Sequence, residues 1–310
     1  MSINSVRDLI SEIRDDNRSG ASEITETAAR CLVVFAETFK GSTRQDLIRG
    51  LSEVGREIVE CQPTMAPLYN LVNRALLDAD EAKTVEEGRA RVRQIVSEFV
   101  KSSREGWKRI ADHALPLLEK HSTVLTHSYS ATLFWTLCTL HDRMKEFSVI
   151  CTESRPLREG LTLARRLAEK GIRVQLIVDA AAFQLLDRVS LVFVGADAIS
   201  PLGVTNKIGT CGLAAAAHSW DVPFYVVAGT EKCFPRDLRV DLEKETRPSD
   251  EIAENDKMFD ILNFYFDRTP LELVFGLITE RGIWSAEKLK KYLKSLRIHP
   301  ILVNWQVETP

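Results

Sequence analysis

The sequence predicts an α/β chain in which a helical subdomain, residues 1–120, precedes a parallel-sheet domain, residues 121–310. Two observations carry this. Before residue 120 apolar residues recur at spacings of three and four, the rhythm of amphipathic helices. After it, short β-rich runs alternate with stretches of helix length, the pattern of a sheet covered by helices.

In the first part, Val6, Leu9, Ile10 and Ile13 form one apolar stripe. Ile24, Ala28, Cys31, Leu32 and Phe35 repeat it within 21–40, and Leu47, Leu51, Val54, Ile58 and Val59 continue it. Pro63 and Pro67 then interrupt the chain, and two further helical stretches are expected near 68–77 and 85–118. In the second part, strands are expected at 123–126, 147–152, 174–178, 191–194 and 224–227, with helices near 160–170, 180–186 and 209–219 between them. Apolar strands this short, separated by helices, give an open Rossmann-like parallel sheet. Right-handed crossovers then bring every strand's C-terminal end to one rim, where ligand sites of such sheets lie. The charged, aperiodic stretch 236–257 reads as an exposed excursion, a lid or a contact surface.

Composition narrows the function. The net charge of −3 supplies no basic excess for gripping nucleic acid, so no direct nucleic-acid partner is expected. Neither a secretory leader nor an 18-residue apolar run occurs, which predicts a soluble chain with no membrane span. The six cysteines stand singly, without zinc-ligand spacing, so no metal or other cofactor is expected and a reducing, cytoplasmic location is. No G-x-G-x-x-G, P-loop or G-x-S-x-G segment follows any expected strand.

The strand ends are polar for their position. The first leads into Thr126-His127-Ser128-Tyr129-Ser130 and the second into Thr152-Glu153-Ser154-Arg155-Pro156, with Arg158-Glu159-Gly160 opening the next helix. The third ends at Asp179, the fourth at Gly195-Ala196-Asp197, and Asn206-Lys207-Ile208-Gly209-Thr210 leads into another helix. Two readings stand for each. Arg155 forks two donors onto a phosphate, or bridges helix ends. Asn206 caps a helix and Gly209 lets backbone amides approach an anion there, with Lys207 adding a charge, or the pair is a plain cap and a solvated lysine. Asp197 is an acid or base once desolvation raises its pKa. His127 reads equally as a satisfied hydrogen-bonding residue, and Asp179 as a helix N-cap.

Together THSYS (126–130), TESRPLREG (152–160), VDAA (178–181), GADAI (195–199), NKIGT (206–210), PFYVVAGTEKCFP (223–235) and FDRTPLELVFGLITERG (266–282) resemble the translation initiation factor 2B alpha/beta/delta superfamily. That superfamily also holds ribose-1,5-bisphosphate and methylthioribose-1-phosphate isomerases. In those isomerases a cysteine after the first sheet strand works with an aspartate after a later one. Asp197 matches the aspartate, whereas Ser128 stands at the cysteine's place, a far weaker acid than a thiol. THSYS is closer to the exchange factor's alpha subunit. The resemblance implies ligand binding by Arg18, Gly20 and Ala21 (an Arg-Gly-Ala-like loop broken by Ser19), by His127 and Arg155, by the Asn206–Lys207 pair, and by Lys232.

It thus implies a regulatory protein that binds a sugar phosphate or nucleotide monophosphate, forms a homodimer through its C-terminal half, and contacts initiation factor 2 or other exchange-factor subunits. The alternative is a sugar-phosphate aldose–ketose isomerase in which Asp197 and Ser128 are catalytic. A third is an assembly partner with a vestigial cleft.

Overall fold

The computed structural model describes residues 5–16, 19–144, 146–234, 247–254 and 258–305. Five helices come first: α1 (Val6–Asp15), α2 (Ala21–Thr38), α3 (Arg44–Cys61), α4 (Ala66–Asp80) and α5 (Val85–Ala114). The starts of α1, α2, α3 and α5 follow from side chains that satisfy otherwise unpaired N–H groups. Ser5 and Asp8 form a reciprocal capping box, Thr43 accepts from Asp46 N at 3.1 Å, and Thr84 accepts from Glu87 N at 3.1 Å. At α2 the cap is Gly20, whose N–H is taken by the Glu23 carboxylate at 3.2 Å. The predicted stripes, including Leu9, Ile13, Ile24, Leu32, Leu51 and Ile58, meet in one core.

α5 belongs to two cores. Val92, Val96 and Phe99 pack among the helices, whereas Ile110, Ala111 and Ala114 pack with Val124, Val149 and Phe193 under the sheet. At 30 residues it spans about 45 Å.

The rest of the chain runs β1 (Thr123–Thr126), α6 (Ala131–Met144), β2 (Ser148–Thr152), α7 (Glu159–Glu169), β3 (Arg173–Ile177) and β4 (Leu191–Val194). There follow β5 (Ala198–Ser200), β6 (Gly203–Lys207), α8 (Thr210–Ser219), β7 (Phe224–Val227), β8 (Phe266–Thr269), β9 (Gly276–Thr279), β10 (Gly282–Trp284) and α9 (Ala286–Ser295). The large sheet has the order β10-β9-β7-β4-β1-β2-β3, parallel except for the β9–β10 hairpin. The stretch expected as a helix at 180–186 is a 3-10 segment, Asp179–Arg188. At the β3 edge Leu176 and Val178 are exposed, as is Phe183 beyond it, so that end of the sheet is open.

Of the strands after β4 only β7 was expected; β5, β6, β8, β9 and β10 were not. A second, antiparallel sheet, β5-β6-β8, lies across the chain between β4 and β9. Asn206 and Lys207 therefore sit on a strand rather than in a loop before a helix. From β1 the chain builds one way through β2 and β3, then returns to build the other way through β4 and β7, so the topological switch lies between β1 and β4. The strand ends diverge there and leave a crevice.

Candidate functional site

A hydrogen-bonded frame shapes the rim beyond β1 and β2. Ser128 and Ser154 both hold left-handed backbone, φ 69° and 62°, and Ser128 N donates to Ser154 Oγ at 2.7 Å. Ser154 N and Arg155 N in turn donate to the Asp179 carboxylate at 2.7 and 2.8 Å. Asp179 thus fixes a loop rather than simply capping a helix. The His127 ring is buried behind this frame. Its Nε2 donates to the Ile208 carbonyl at 2.8 Å, which leaves Nδ1 to accept from the Thr152 hydroxyl at 2.7 Å. Burial pushes its pKa down, so the ring is a neutral structural strut.

In the switch-point crevice lies a cavity of about 60 Å³. Ser128 and Tyr129 reach it from β1, Asp197 from β4, and Lys207, Tyr265 and Phe266 from the small sheet and its approach. Glu159 enters from the first turn of α7, and Ser19, Gly20 and Ala21 from the N-terminus of α2. Lys207 is only 4% exposed. Its Nζ contacts Glu159 Oε1 at 2.5 Å and lies 4.5 Å from the centre of the Tyr265 ring, a cation–π position. Glu159 Oε2 is buried without a hydrogen-bond partner, the one carboxylate oxygen of the pair left to another donor. Burial pushes the Asp197 carboxyl up, and the ammonium groups of Lys232 and Lys207 pull it partly back. Burial likewise pushes Lys232 down, opposed by Asp197 and Glu231. The cavity therefore presents a fixed cation, a helix N-terminus that attracts anions, and a carboxyl suited to proton exchange.

Of the expected site residues, Gly20, Ala21, Ser128, Asp197 and Lys207 come together. Arg18 lies outside the described residues. His127 and Asn206 stand behind the wall, the latter donating to Thr210 Oγ1 at 3.0 Å. Lys232 is buried and acts on the site through its charge. Arg155 turns away and donates to the Ile252 carbonyl at 3.0 Å. That contact belongs to a cover. Of the excursion expected at 236–257, residues 247–254 are described and close onto the site: Glu251 accepts from Tyr265 Oη at 2.5 Å, and Arg247 lines the cavity 4.9 Å from the Tyr265 ring centre. Glu159, Arg247 and Tyr265 were missed. Glu159 had a signal, an acidic residue opening a helix beside a strand end, but its partner is 48 residues on.

The anion expected at the start of α8 is supplied by the chain itself. The Asp267 carboxylate accepts from Gly209 N at 2.8 Å and Cys211 N at 3.0 Å, and Oδ1 has no partner. Burial pushes its pKa up to about 6, the two N–H donors notwithstanding. The unfolded chain loses this proton near the ordinary carboxylate value, about 4. The stabilising contribution is therefore complete below that pH and lost as pH rises through about 6. In Asp267→Asn this component of the pH dependence is expected to vanish. Urea midpoints at pH 4.5 and 7 will measure it, and an unchanged pH slope refutes the assignment.

The sequence model of the Initiation factor 2 subunit family matches residues 17–286. The chain is 34% identical over 276 residues to a putative translation initiation factor eIF-2B subunit 2-like protein of Pyrococcus furiosus, covering 89% of this chain and 94% of that one. It is 31% identical over 283 residues to a ribose 1,5-bisphosphate isomerase of Methanocaldococcus jannaschii, covering 90% and 91%. A crystal structure of the translation initiation factor eIF-2B of Pyrococcus horikoshii superposes with a TM-score of 0.78 at 33% identity, over 90% of this chain and 96% of that one. Fold and sequence agree, and the chain belongs to the Initiation factor 2 subunit family.

Proposed function

We propose that the chain is a regulatory member of its family that binds a phosphorylated sugar or nucleoside monophosphate without converting it. The observation that carries this is the chemistry of the cavity wall. Lys207, Glu159 and the α2 N-terminus suit a phosphorylated polyol, and the wall carries a serine, Ser128, where the motif resemblance to the isomerases implies a thiol. None of the six cysteines lines the cavity to replace it. The exposed Leu176, Val178 and Phe183 support self-association through the sheet domain, and initiation factor 2 or other exchange-factor subunits are the partners that the relatives' names suggest.

A second reading, aldose–ketose isomerisation, is favoured by one feature: the Asp197 carboxyl, its pKa raised, faces the same cavity. The test is to incubate the protein with ribose 1,5-bisphosphate and follow both ligand and ketose by NMR. Broadened ligand signals without product are expected. Product that disappears in Asp197→Asn reverses the choice in favour of the enzyme.

A further inference from the structure

Between α2, α5, α6 and α7 opens a cleft of about 430 Å³, a room separate from the switch-point cavity. The Tyr129 ring and the α2 cap divide the two, since a Cβ built on Gly20 would meet that ring at 3.5 Å, ordinary contact distance. The size of the cleft falls in the range of small-molecule sites, about 300–1,000 Å³, and its lining has their composition, aromatic surface with a few polar groups. Trp107 of α5 and Trp135 of α6 stack with ring centres 5.6 Å apart and planes at 25°. Phe134 meets Trp135 edge-on, 5.0 Å away. Trp135 is nevertheless 38% exposed, so part of an indole stays in water where a flat ring would cover it.

Charge decides the class of ring. The carboxylates that line the cleft, Glu26 and Glu23, are already engaged: Glu26 accepts from Arg104 at 2.6 and 2.5 Å, and Glu23 from Gly20 N at 3.2 Å. Arg166 of α7 is not neutralised. Its guanidinium lies over the rings of Phe134 and Tyr129, 4.3 and 5.4 Å from their centres, and donates to Tyr129 Oη. Among the described residues no carboxylate pairs with it, and it has N–H donors to spare. Lys170, just past α7, holds a second cation 6.0 Å from the centre of the Trp135 ring. A flat cation beside an exposed indole selects a flat anion, its ring on Trp135 and its acid group in the fork of Arg166. We propose that the cleft is a second ligand site, distinct from the switch-point cavity, and that it takes a small planar aromatic carboxylate.

The test is calorimetry on the full chain with 2-naphthoate and its neutral counterpart 2-naphthamide, and with acetate as an acid that lacks the ring. The carboxylate is expected to bind on the order of tenfold more tightly than the amide or better, the usual worth of a charge-assisted hydrogen bond, and acetate to give no binding heat. Ribose 5-phosphate is expected to leave the naphthoate affinity unchanged. In Arg166→Gln the preference for the acid is expected to vanish, and in Trp135→Ala both aromatic compounds to weaken together. Equal affinities for acid and amide in the unaltered protein, a comparison that needs no variant, overturn the proposal. A preference kept in Arg166→Gln overturns it too, and displacement of naphthoate by ribose 5-phosphate overturns the separation of the two sites. Absence of naphthoate binding also overturns it, and tryptophan emission that then shifts with protein concentration assigns the cleft to a second copy of the chain. Binding of ribose 5-phosphate is titrated on its own, so failure of the phosphate reading is told apart from failure of this one.

Discussion

Lys207→Met is expected to lower the affinity for a phosphorylated ligand by about one to two orders of magnitude and to destabilise the fold at the same time. The affinity loss follows from removing a charge-assisted donor in a nearly dry wall, a contact in the range of about 1.5–3 kcal/mol. The stability loss has another origin. Lys207 Nζ neutralises Glu159 at 2.5 Å, and stranding one member of a buried pair costs about 3–5 kcal/mol. The Glu159 side chain keeps 17% exposure, which favours the lower end. The two effects separate in the double variant Glu159→Gln with Lys207→Met, which is expected to recover most of the stability and none of the affinity. Urea midpoints and ligand titration measure them. A double variant that binds normally removes Lys207 from the site.

Gly160→Ala is expected to be at least as damaging, for a steric reason. A Cβ there would lie 1.8 Å from the Thr152 carbonyl oxygen and 2.8 Å from Ser154 Oγ. The first obstacle is backbone at the end of β2, so relief requires α7 to draw back from the sheet. Overpacking of this kind costs about 3 kcal/mol or more when the neighbour cannot yield. Ser154 Oγ also holds Ser128 N, and a displaced hydroxyl loosens the cavity wall. Gly212→Ala is the control. Within α8 its Cβ meets only Phe183, at 3.9 Å, so the gain of about 1 kcal/mol in helix propensity should appear as added stability. Equal unfolding midpoints for Gly160→Ala and the unaltered protein contradict the clash.

What the sequence revealed and what it hid have a common physical basis. β1, β4 and β7 fall on the expected residues because central strands buried on both faces are written as unbroken apolar runs. The helical stripes were legible for the same reason, since burial imposes a period. The small sheet was hidden because β6 reads Gly-Val-Thr-Asn-Lys, polar residues whose burial depends on long-range partners. Likewise Asp267 meets the α8 N-terminus from 58 residues away, and no local pattern announces which anion a helix end will take. Asp197 and Lys207 were legible as polar residues at the expected strand-end rim, and Ser128 through the resemblance of its motif. Glu159, Arg247 and Tyr265 matter through tertiary contacts with those residues, which spacing alone does not encode.

The double membership of α5 bears on how the chain is made. Synthesis proceeds from the N-terminus, and domains generally fold as units as they emerge. Here the helical half is finished at Ala114, yet Ile110, Ala111 and Ala114 find their cover only when the strands carrying Val124, Val149 and Phe193 have been added. Meanwhile the Ala66 amide at the start of α4 waits for the Asp197 carbonyl, which it meets at 3.1 Å. The nascent helical half thus emerges with an apolar flank that is covered only in steps, as Val124, Val149 and finally Phe193 are added. That interval is when a holding chaperone would matter most, and a chain that stops within it would be sticky rather than partly useful.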